Sequence, residues 1–99
     1  MSDKEEWIIL PHREVKKNDI PLLEQLGLKS DFDEIVDILK KNPYQQVRNM
    51  EVLQPRQKKI YSMRINLQHR VVYTVDKENK IVKIWSAWTQ NAQTIKIST

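Results

Sequence analysis

From Ile60 onward the hydrophobic period of the chain falls to two, and no other feature constrains its fold as much. Tyr61, Met63 and Ile65 alternate with Ser62, Arg64 and Asn66; after them His69, Val71, Tyr73 and Val75 alternate with Arg70, Val72 and Thr74. Neighbouring side chains of a strand point to opposite faces, so this alternation describes strands with one covered face. DKENK at 76–80 suits a hairpin turn, and IVKIWSAW returns the chain to an apolar pattern. Strands near 60–66, 69–75 and 80–88 in a twisted antiparallel meander are the expectation.

Upstream the period is helical. Trp7 to Leu10 reads as a short apolar strand ended by Pro11. Val15, Leu22, Leu23 and Leu26 then suggest a helix interrupted near Pro21, or one that restarts with Asp19 as cap, and Gly27 suits its C-terminal end. Ser30 stands ahead of a second helix, with Asp31, Asp33 and Glu34 at its positive end and Lys40 and Lys41 at its negative end. Phe32, Ile35, Val36 and Leu39 form its apolar stripe, Pro43 ends it, and 44–59 shows no clear period. The fold class is α+β: two N-terminal helices packed on a twisted, mainly antiparallel β-sheet of about four to five strands.

With 99 residues the chain is expected to form a single domain. It has no Cys, which removes disulfides, thiolate nucleophiles and Cys-ligated zinc, and neither of its two histidines has the partner spacing of a metal site. No metal or other cofactor is expected. No apolar run approaches the roughly 18 residues of a membrane span, and MSDKEEW has the character of neither a signal core nor a basic leader, so a cytoplasmic protein without membrane attachment is expected.

The net charge of +4 is unevenly spread. Residues 1–40 sum to −4, whereas 41–73 carry Lys41, Arg48, Arg56, Lys58, Lys59, Arg64 and Arg70 against the single acid Glu51, a net of +6. Such a segment attracts a polyanion or an acidic partner, although a solvated basic face is an equally good reading of charge alone. With the helices on one face of the sheet, Ser62, Arg64 and Arg70 are left on the other. Two arginines on neighbouring strands present guanidinium forks to one phosphate, and Glu51 is the acid at hand to accept a proton. A stacking aromatic beside them would complete a set suited to single-stranded RNA, and Tyr61 is a candidate. Tyr61, Trp85 and Trp88 also read as core or sheet-packing aromatics. His12 reads as a surface or capping group and His69, on the opposite strand face from Arg70, as a packed histidine.

YSMRINLQHRVVYTV at 61–75 resembles the central strands of the small ribonuclease toxins of the RelE superfamily, of the YoeB or Txe type found in bacterial type II toxin–antitoxin systems. Agreement extends through KNPY at 41–44, NMEVL at 49–53 and, more weakly, both helices, covering nearly all of the chain up to Trp88. Carried over by position, the resemblance implies that Glu51 is the general base toward a ribose 2′-hydroxyl, that Arg70 stabilises the scissile phosphate, and that Arg64 holds the same anion or adjacent backbone. It places Tyr61 where the family often carries a large side chain, and Arg56, Lys58 and Lys59 join it as expected RNA contacts. The activity implied is ribosome-dependent cleavage of mRNA in the A site. The partners implied are a cognate antitoxin of the Phd/YefM type, the ribosome and its mRNA, a second copy of the chain as a homodimer, and DNA indirectly through the antitoxin.

The C-terminus departs from that pattern. Family members of this type end their last strand in a histidine–tyrosine pair, the histidine acting as general acid; Gln90 and Asn91 stand at those positions here, and residues 92–99 form an atypical extension. Neither amide supplies a proton near neutral pH. An inactivated toxin, an altered reading frame at the gene's end, and replacement of the acid by another group are all open. Three functions follow: an RNA-cleaving toxin, an impaired member that binds antitoxin and RNA or ribosome, and a co-repressor acting through its antitoxin. Residues 12–41 carry no strong helix-turn-helix signal.

Overall fold

The computed structural model describes residues 6–88. Its elements are strand β1 (Ile8–Pro11), a π-helical turn (Val15–Asp19), helix α1 (Ile20–Gln25), helix α2 (Lys29–Lys41), strand β2 (Glu51–Val52), a 3₁₀ turn (Arg56–Lys58), and strands β3 (Ile60–Arg64), β4 (Arg70–Asp76) and β5 (Ile81–Ser86). One five-stranded sheet has the order β1-β5-β4-β3-β2, with β1 parallel to β5 and every other neighbour antiparallel.

Pro21 does not break the first helix, because the turn before it widens. Ile20 N–H bonds back to the Val15 carbonyl, five residues earlier. Proline lacks an N–H and its ring crowds the carbonyl four residues back; a π-helical turn just upstream is one way to relieve both. Asp19 stands at the cap position of α1, as expected, but its side chain makes no cap bond. It is buried, and its Oδ2 accepts from Ala87 N–H at 2.9 Å, tying the helix to the end of β5. Gly27 ends α1 as expected, at φ 72°: Leu28 N–H bonds to Leu23 O and Gly27 N–H to Glu24 O, the paired closure that a left-handed residue allows. This closure moves the start of α2 forward. Leu28 takes the cap position and Ser30 lies exposed inside the first turn, not ahead of the helix.

Phe32, Ile35 and Leu39 of α2 are buried with Val15 and Leu23 against Met63, Val71, Tyr73, Val82 and Ile84 of the sheet. Each large side chain so buried contributes roughly 1.5–3 kcal/mol. Val36 packs at the margin of this core, while Leu26, beyond the last turn of α1, is exposed. Tyr73 lies fully inside and donates its hydroxyl to the Pro43 carbonyl at 2.7 Å. The helices therefore cover one sheet face. The other faces outward, and its residues follow from register, because directly paired residues share a face: Glu51 opposite Ser62, Ser62 opposite Val72, and Arg64 opposite Arg70.

Candidate active site

β2, the strand that 44–59 did not announce, is only two residues long, too short to show a period. It nevertheless sets the site, because Glu51 enters the sheet there opposite Ser62, one strand from Arg70. Arg70 Nη2 lies 3.2 Å from Glu51 Oε1, and Arg70 Nε donates to Ser62 Oγ at 3.1 Å. Nη2 also donates to the Asn49 carbonyl at 3.3 Å. Among the described residues Nη1 makes no hydrogen bond.

Arg64 is the direct cross-strand partner of Arg70. Its backbone is well held, with N–H donating to Arg48 O at 2.7 Å, but its buried Nε has no hydrogen-bond partner among the described residues. Like charges facing one another across a ladder are destabilising, by an amount comparable to the roughly 0.2–1 kcal/mol that favourable pairs contribute. Among the described residues Glu51 balances only one of the two cations, leaving this corner with a net charge of +1. Geometry and charge together suit an anion with several oxygens.

The remaining basic candidates frame the same edge. Arg56 borders a shallow hollow with Gln46, Met50, Glu51 and Val52. Lys58 and Lys59 are exposed on the turn that leads into β3. Tyr61, in contrast, belongs to the helix-covered side. It stacks on Tyr73 with centroids 5.7 Å apart and meets Tyr44 edge-on at 5.8 Å, in a row that continues to Trp7. Tyr61 thus stands across the sheet from Arg70, not beside it as expected. The reason is strand parity: Tyr61 shares a face with Met63, not with Ser62 and Arg64.

His69 also lies away from the arginines. It is buried and stacks on Trp88 with centroids 4.0 Å apart, and burial lowers its pKa below the ordinary histidine value. His12 accepts the Glu14 N–H at Nδ1 and packs on Trp85, whose indole N–H donates to Thr74 Oγ1 at 2.9 Å. Gln90 and Asn91 lie outside the described residues. Two contributors had no sequence signal as site residues: Asn49, which acts through its carbonyl, and Arg48, visible only as one more positive charge. No helix of the described residues is long and apolar enough to cross a membrane.

No protein-family model matches the sequence, and no curated protein matches it. Solved structures do. YoeB in its heterotetrameric complex with YefM from Staphylococcus aureus superposes with a TM-score of 0.68 at 26% identity, covering 83% of this chain and 94% of that one. The chain has the YoeB/RelE toxin fold. A YoeB/ParE toxin from Agrobacterium tumefaciens agrees with it at TM-score 0.72 and 15% identity over 83% of this chain and 96% of that one. The archaeal RelE–RelB complex from Pyrococcus horikoshii OT3 gives 0.71 at 23% identity over 85% and 94%. In this YoeB/RelE-like fold the outward sheet face, opposite the helices, carries Glu51, Arg64 and Arg70.

Proposed function

We propose that this chain is the toxin of a toxin–antitoxin pair and cleaves mRNA on the ribosome as a metal-independent endoribonuclease. The observation that carries the reading is the 3.2 Å contact between the Glu51 carboxylate and the Arg70 guanidinium, beside Arg64 on the open sheet face. Glu51 takes the proton of a ribose 2′-hydroxyl; the 2′-oxygen attacks phosphorus; the bond to the 5′-oxygen breaks, leaving a 2′,3′-cyclic phosphate and a 5′-hydroxyl. Arg70 and Arg64 stabilise the charge that builds on the non-bridging oxygens. Donors already in place act most strongly on such developing charge, and Ser62 and Asn49 hold Arg70 ready.

Protonation of the departing 5′-oxygen is the step with the weakest provision. The family's terminal histidine–tyrosine pair is replaced by Gln90 and Asn91, so that proton comes from solvent or another group. This substitution favours a second reading, an impaired member that keeps its antitoxin and ribosome contacts. The antitoxin is of the kind bound to YoeB and RelE in the S. aureus and P. horikoshii complexes, and a YoeB dimer from S. aureus is a precedent for self-association.

A ribosome-programmed mRNA cleavage assay separates the readings. Cleavage by this chain and its loss in Arg70→Ala support the toxin nuclease. Absence of cleavage, with ribosome and antitoxin binding intact, supports the impaired member.

A further inference from the structure

Arg48 and Asn49 are consecutive residues with left-handed backbone, at φ 51° and φ 52°. Asn accepts this region comparatively well, but for Arg it is uncommon and persists only where the surroundings enforce it. The surroundings do so here. The Arg48 side chain, 19% exposed, donates through Nη1 to the carbonyls of Arg64 at 3.1 Å and Ile65 at 3.2 Å, and through Nη2 to Asp31 at 3.2 Å and Glu34 at 3.1 Å of α2. Its own carbonyl accepts from Arg64 N–H. One side chain thereby clamps the loop between helix and hairpin, and the next residue turns its carbonyl onto Arg70 Nη2.

The three partners of the Arg70 guanidinium among the described residues differ in kind. Glu51 is a charge that is cancelled when it takes a proton, and its side chain is 57% exposed. Ser62 supports Nε alone. The Asn49 carbonyl is a neutral acceptor whose direction is set by backbone angles, so it orients the guanidinium without consuming its charge and survives protonation of Glu51.

We propose that Asn49 is a positioning residue: the left-handed Arg48–Asn49 pair aims the Asn49 carbonyl at Arg70 and holds the guanidinium with Nη1 available to a phosphate oxygen. The phosphate rests on the RNA-cleavage reading; the orientation does not.

Backbone conformation supplies the test. Asn49→Gly keeps the carbonyl and takes left-handed angles freely, Asn49→Ala resists them, and β-branched Asn49→Val resists them most. Each variant is compared with the unmodified chain by the Arg70 Nη–Hη NMR signal and its exchange with solvent, by thermal melting, and by cleavage kinetics. Asn49→Gly is expected to keep the signal. Asn49→Ala and then Asn49→Val shift the signal, speed its exchange, and lower kcat progressively, by up to about 10²-fold, with KM little changed. Should Asn49→Val fail to fold, the order of Gly, Asn and Ala still decides. An unchanged Arg70 signal in a folded Asn49→Ala overturns the proposal, as does an equal loss in Gly and Ala, which would assign the effect to the Asn side chain. If the unmodified chain does not cut RNA but the NMR order holds, the nuclease reading falls and the positioning stands.

Discussion

Arg64 and Arg70 face one another directly across the β3–β4 ladder, two cations on one sheet face with, among the described residues, a single carboxylate, Glu51, against Arg70. A fold selected for stability alone has little reason to place them so. The neighbouring hydrogen bonds explain how the arrangement persists: Ser62 and Asn49 share the Arg70 guanidinium, and Arg48 fastens the Arg64 backbone. What it leaves is a cationic pair of the kind that suits an anion.

Replacing Arg70 therefore separates activity from stability. Arg70→Ala is expected to lower cleavage by about 10²–10³-fold, the effect of removing one preorganised donor to a developing charge. Its ion pair with Glu51 is partly exposed and contributes no more than about 1 kcal/mol, and the buried Ser62 hydroxyl loses its guanidinium donor, so stability should fall by about 1–3 kcal/mol, far less than the loss in rate. Arg70→Lys should not restore the rate, because an ammonium cannot reproduce the fork. Ribosome-programmed cleavage and denaturant titration check both halves.

Restoring the acid should speed the reaction. A chain carrying Gln90→His and Asn91→Tyr is expected to cut about 10²–10⁴-fold faster, the usual contribution of a general acid. Equal rates in single-turnover assays would show that leaving-group protonation does not limit this chain.

Tyr73 carries a different kind of energy. Tyr73→Phe leaves the Pro43 carbonyl without its hydroxyl donor inside the core and should cost about 1–3 kcal/mol in denaturant unfolding. Burial first, then Tyr61 and Tyr44, raises the Tyr73 pKa well above its ordinary value. The neutral phenol is thus favoured by folding: its contribution is complete below the unfolded value of about 10 and is lost as pH rises above it toward the folded value. Alkaline unfolding should be less steep in Tyr73→Phe.

His69 works in the opposite direction. Burial lowers its pKa in the folded chain, so the unfolded chain binds more protons in acid. Its contribution to stability is complete above about pH 6.5 and declines as pH falls through the lowered folded value. His69→Phe, which keeps a ring on Trp88, should flatten the melting temperature between pH 7 and pH 5.

Much of this was legible before any coordinate. Period-two alternation located β3 and β4, a hairpin turn and an apolar run located β5, and parity put Ser62, Arg64 and Arg70 on one face and His69 on the other. The same parity places Tyr61 with Met63, so naming it as the stacking aromatic beside the arginines went against the pattern of its own strand. Ser30 has the chemistry of a helix cap, and Asp19 does stand at the cap position of α1 while its carboxylate goes to Ala87, but cap position depends on where the preceding turn closes. Gly27 and the widened turn ahead of Pro21 decided that.

The sequence by itself determined which residue types are present on which strand face, because alternation is a local property of a pleated chain. Only the tertiary structure brought Glu51 to Arg70. Nineteen positions separate them, and β2 is too short to carry a pattern. Their contact comes from pairing of β2 with β3, from the Arg48 clamp between α2 and the hairpin, and from a left-handed backbone that turns the Asn49 carbonyl onto the guanidinium. Those are long-range hydrogen bonds and backbone angles, and no local period encodes them.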